Sequence, residues 1–127
     1  MKIVATALTA LVLGVAAAHA AEPAQIKTMQ NEKVYTDSHG MTLYTYDKDA
    51  AGKSNCDADC ATKWLPLKAD ASAKAEGEWT LVKRADGSTM WAHSGHPLYT
   101  YHGDKKAGDM TGNGMGGTWH VAKALNA

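Results

Sequence analysis

Leu43-Tyr44-Thr45-Tyr46-Asp47-Lys48-Asp49 returns fifty-five positions later as Leu98-Tyr99-Thr100-Tyr101-His102-Gly103-Asp104, and this pair of stretches decides the fold. The same frame sets Gly40 on Gly95 and Trp64 on Trp119 without a gap. A gapless frame that carries Gly, Leu, two Tyr, Asp and Trp is an internal repeat. Repeat 1 spans about 25–68 and repeat 2 about 79–124.

Working outward, repeat 2 reads as strands. Residues 79–84 alternate along a strand, Asp86-Gly87 is a hairpin turn signal, and 89–92 return. Ser94-Gly95 makes a second turn into 96–102, a glycine-rich loop covers 103–117, and a closing strand covers 118–122. Repeat 1 follows the same order with strands at 26–29, 33–36, 41–47 and 63–67 and a loop at 48–62. Tyr, Trp, Thr and Val fill the strands. The linker at 68–77 reads as exposed, with room for one helical turn over 69–76. Each antiparallel meander has an apolar face to cover, and the other copy covers it. The expectation is an all-β domain, two pseudo-symmetric meander repeats packed as a small sandwich or barrel.

That domain follows a leader. Lys2, the uncharged run 3–18 and the small residues of Ala18-His19-Ala20 form a signal peptide over 1–20, cleaved to leave 21–127 in the periplasm or medium. Outside the leader no run of 18 apolar residues could span a bilayer. Thirteen basic against thirteen acidic side chains leave no field to attract nucleic acid. In an exported chain Cys56 and Cys60 read as a disulfide closing a short turn, which the neighbouring Asp57 and Asp59 favour over a reactive thiolate.

Both copies satisfy Tyr-x-(Phe/Trp/Tyr)-x-x-Asp, through Tyr44, Tyr46 and Asp49 and through Tyr99, Tyr101 and Asp104. With these residues, and with the stretch from Gly52 through Cys56 and Cys60 to Trp64-Leu65-Pro66, the chain resembles a family of secreted bacterial repeat proteins, many of them lipoproteins. The resemblance implies an exported β repeat protein and little about chemistry. The chain departs from the lipoprotein pattern in having no Cys near the cleavage point, which implies a soluble form. In strands each Tyr pair shares a face, so the rings read as packing and the Asp carboxylates as acceptors for turn N–H groups or Tyr hydroxyls. The alternative is a Tyr-lined ligand groove.

The copies diverge in their loops. Cys56 and Cys60 fall on Thr111 and Met115, and the 108–117 loop holds five Gly in ten residues. Met110 and Met115 with His93, His96, His102 and His120 make a soft N/S set that suits copper. The Cys pair is one residue too wide for c-type haem, and 47–58 lose two ligands of a calcium loop at Ala51 and Ala58. No Ser stands in a nucleophile elbow and no paired acid and base is visible, so no enzyme is expected. The reading is a periplasmic module that binds a small ligand, a metal such as copper or a protein partner. The alternative is a structural or accessory repeat protein without a small-molecule ligand.

Overall fold

The computed structural model describes residues 22–124, so the leader expected over 1–20 lies outside the described residues. Each repeat opens with a hairpin. β1 (Gln25–Met29) and β2 (Glu32–Thr36) join through Gln30-Asn31, both at positive φ, the two-residue turn whose twist suits antiparallel strands. β5 (Trp79–Lys83) and β6 (Thr89–His93) join through the Asp86-Gly87 turn, where the Asp86 carboxylate accepts from the Ser88 amide at 2.9 Å. β6 then turns over Ser94-Gly95 into β7 (His96–Pro97).

The central sheet holds β3 (Tyr44–Tyr46), β4 (Trp64–Pro66), β8 (Tyr99–Tyr101) and β9 (Trp119–Val121) in the order β4-β8-β3-β9. Its strands alternate between repeats. β3 lies between the second repeat's β8 and β9, and β8 lies between the first repeat's β3 and β4. Tyr44 pairs with Tyr99 at the pseudo-twofold, flanked by Tyr46 with Trp119 and Tyr101 with Trp64. The outer backbone bonds obey the same symmetry. Tyr35 N donates to Ala122 O as Trp91 N does to Leu67 O, both at 2.9 Å, and Leu43 N donates to Tyr35 O as Leu98 N does to Trp91 O.

Among the described residues every strand pairing is antiparallel, in sheets of two, four and three strands, and no closed barrel forms. The copies do not simply cover each other's faces as separate meanders. They exchange strands, because the two three-residue strands of one copy would make only a marginal two-stranded ladder and gain partners from the other copy. The strand expected at 96–102 is interrupted at Leu98, where the chain leaves β6 and joins the central sheet. No helix forms over 69–76, where Asp70 O accepts from Ala73 N in a turn. The loop expected at 48–62 instead contains the start of α1 (Asp59–Lys63), with Asp59 in its first turn and Lys63 in its last, both favourable to the helix dipole. Cys56 and Cys60 are bonded, with Cα atoms 5.2 Å apart.

Leu43 and Leu98, fully buried, sit with Trp79 and Ala122 on one side of the sheet, and Tyr44, Tyr99, Trp64, Trp119, Val82 and Met90 fill the other cluster. Each buried Leu contributes roughly 1.5–3 kcal/mol by leaving water.

Candidate functional site

The motif residues bind one another across the repeats. Tyr44 Oη donates to Asp104 Oδ2 at 2.7 Å, and Tyr99 Oη donates to Asp49 Oδ2 at 2.8 Å. The second oxygen of each carboxylate holds its own loop. Asp104 Oδ1 accepts from Thr111 N and Oγ1 at 2.9 and 2.6 Å, and Asp49 Oδ1 accepts from Asn55 N at 2.6 Å. Burial is the main cause that raises both phenols well above their ordinary pKa, with the Asp hydrogen bonds adding to it. Burial also raises the Asp49 carboxyl, against the bonds from Asn55 and Tyr99 and the charge of Arg84.

Arg84 completes the first of these networks. It is 5% exposed and its Nη1 donates to Ser54 Oγ at 3.1 Å, its Nη2 to Cys56 O at 2.9 Å. Ser54 Oγ in turn lies 2.6 Å from Tyr99 Oη. The sequence reading missed Arg84 and Ser54. A signal was present, because strand alternation puts Arg84 on the face of buried Val82. At the offset of the repeat its counterpart is Met29, so the network exists in one half only.

Four rings line up across the pseudo-twofold in the order Tyr46, Trp119, Trp64, Tyr101, with centroids 4.1, 3.8 and 4.3 Å apart, the two indoles within 2° of parallel and Tyr101 tilted 30° from Trp64. Trp64 and Trp119 are buried and the two Tyr are half-buried. Gly112 of the glycine-rich loop presses on this stack, since a Cβ there would lie 2.6 Å from Trp64 Cη2. Its amide donates to Tyr44 Oη at 3.2 Å.

The histidines and methionines divide between regions. His93, His96 and His120 line one cleft of about 880 Å³ with Tyr35 and Glu78, whereas His102, Met110 and Met115 do not line it. Met110 packs against the core, Met115 is 42% exposed in the 3-10 turn Met115–Gly117, and exposed His102 lies beside Tyr101 at 5.3 Å. His120 Nε2 is 2.9 Å from Asp47 Oδ2. Among the described residues no three His, Cys, Asp or Glu side chains form a group that could hold a metal ion. The sequence groups His102 with His96 in one soft ligand set, but β8 carries it to the Lys63 end of the sheet, where its amide donates to Lys63 O.

His93 faces His96 directly across the β6–β7 ladder, so the two share a face. Its Nε2 lies 3.2 Å from Tyr35 Oη, and its ring packs 4.6 Å from Trp79. Burial is the largest influence on it and lowers its pKa. A second hollow, about 1360 Å³, adjoins the first at Tyr35, Glu78 and His93 and runs under the 68–78 linker over Trp79 and Trp91. Because they share these walls, the two hollows are taken together as one groove. The pseudo-twofold does not reproduce it: hydrogen-bonding position sets Asp37 and Met41 against His93 and His96, and Leu65 against His120.

One family model, Lipoprotein_15, described as a secreted repeat of unknown function, matches residues 26–68 and 80–123. No curated protein and no solved structure matches the chain.

Proposed function

The chain belongs to this family of secreted repeats of unknown function, and we propose that within it the protein is a non-enzymatic periplasmic binding module whose ligand occupies the groove between Trp91 and His120. The observation that carries this reading is where the symmetry breaks. The residues at the centre of the fold recur in both copies, as Tyr44 and Tyr99, Asp49 and Asp104, and Trp64 and Trp119 do. The groove residues His93, His96 and His120 do not, and its wall at 70–78 is the linker, present once. Side chains held at the surface without a symmetric counterpart are free of the fold's requirements, and function concentrates in such places.

The test is titration of the isotope-labelled protein with a panel of small cations, anions, sugars and Cu(I), following the indole N–H signals of Trp79 and Trp91. Saturable shifts confined to the groove support the reading. No shift from any member at millimolar concentration favours the structural or accessory role. Cu(I) belongs in the panel because His93 and His96 sit opposite each other on one face, a two-imidazole foothold for a soft metal. Loss of Cu(I) binding in His96→Ala, with none in Met115→Ala, would assign it to that pair.

A further inference from the structure

We propose that the linker end of the groove is a site for a small organic cation, a quaternary ammonium or a protonated tertiary amine. The inference rests on the groove being a ligand site and names the class of ligand it takes.

Two observations carry it. The first is the floor. The Tyr35 ring stands 5.6 Å from Trp79 at 80°, and the Trp91 ring stands 6.3 Å from Trp79 at 86°. Two aromatic rings thus stand roughly at right angles to a shared third ring, and both Tyr35 and Trp91, half-buried, line the hollow. The negative faces of aromatic rings attract an organic cation without requiring a hydrogen bond from it. The second is the rim. Glu22, Asp70, Glu76 and Glu78 line the hollow against Lys68 and Lys74, an excess of acid in a chain whose net charge is zero. Of the other titratable wall groups, burial raises the Tyr35 phenol and so keeps it neutral, and burial lowers His93, on which Glu22 and Glu78 act in the opposite sense.

The combination selects among ligands. An anion meets four carboxylates against two lysines in the lining. A sugar needs several fixed hydrogen-bonding groups, whereas the four carboxylates are all exposed, and of them Glu78 is already engaged by Ser94 Oγ at 2.9 Å. A methylated ammonium needs only ring faces and diffuse negative charge, which are what the hollow offers.

The test uses choline and its neutral carbon isostere 3,3-dimethylbutan-1-ol, of the same shape without the charge, titrated into the disulfide-bonded protein with tryptophan fluorescence and the Trp91 indole signal as readouts. Choline is expected to bind saturably and about tenfold or more tightly than the isostere, which is the scale of a desolvated cation over aromatic rings. The Glu76→Gln, Glu78→Gln double variant, which leaves the core untouched, is expected to weaken choline several-fold, and Trp91→Ala to abolish it. His102→Ala, remote from the hollow, should bind as the parent does. Equal binding of the isostere overturns the proposal. So does a shift of Trp91 by a sugar or an anion but not by choline, which leaves the groove as a ligand site of another class. If no compound of any class moves Trp79 or Trp91, both this inference and the binding reading fall.

Discussion

Tyr44 of the first repeat donates its hydroxyl to Asp104 of the second, 2.7 Å away, and the two residues belong to different copies of the same motif. Tyr99 and Asp49 make the reciprocal bond. Each copy of the motif is therefore completed by the other, and the pair of bonds ties the loops after β3 and β8 to the centre of the shared sheet.

Removing one hydroxyl leaves a buried carboxylate oxygen without its donor. Tyr44→Phe should cost about 1–3 kcal/mol, the penalty for an unsatisfied buried acceptor, measured by denaturant unfolding. Asp104 also holds Thr111, so Asp104→Ala should cost more. The Tyr44→Phe, Asp104→Asn double variant should be more stable than the sum of the single losses, and strict additivity would deny the coupling.

Gly112 should tolerate no side chain. In Gly112→Ala the new Cβ meets Trp64 Cη2 at 2.6 Å and Tyr101 Cδ2 at 3.1 Å, an overpacking expected to cost about 1–3 kcal/mol and to alter the near-ultraviolet circular dichroism of the Trp64–Trp119 stack. Gly114, two residues on at φ 81°, has nothing near its Cβ position. Gly114→Ala should therefore cost about 1–2 kcal/mol through the backbone alone, with that spectrum unchanged.

His93 should make stability fall on acidification. Its folded pKa lies below the ordinary value of about 6.5, so the unfolded chain binds the proton more readily. The contribution is then fully present above the unfolded pKa and is lost as pH falls through the folded one. His93→Gln should flatten the pH dependence of the urea midpoint in that interval, and an unchanged slope would assign it to other groups.

Arg84, from the second repeat, anchors the disulfide loop of the first. Arg84→Ala should cost about 3 kcal/mol or more, since it opens space and strips Ser54 and the Cys56 carbonyl of their donor. Arg84→Met, which installs the residue that stands at this position in the other repeat, should be the milder change in thermal melting.

Local chemistry was open to reading along the chain. The repeat, its turns at Asp86-Gly87 and Ser94-Gly95, the strand character of the Tyr stretches and the Cys56–Cys60 pairing follow from alternation, turn residues and close spacing, which act over a few positions. The motif residues were visible too, as rings for packing and carboxylates for turn amides. What the tertiary structure decided is which partner each of them takes. β3 could have paired within its own meander, and the choice of β8 and β9 depends on three-residue strands gaining enough ladder only by crossing to the other copy. That exchange also fixed the groove. It brought Tyr35 of the first repeat against His93 and Trp79 of the second, and it carried His102 and both loop methionines away from His96. A gapless offset records that two stretches are alike; only the long-range pairing of the folded chain determines which surfaces their unlike residues share.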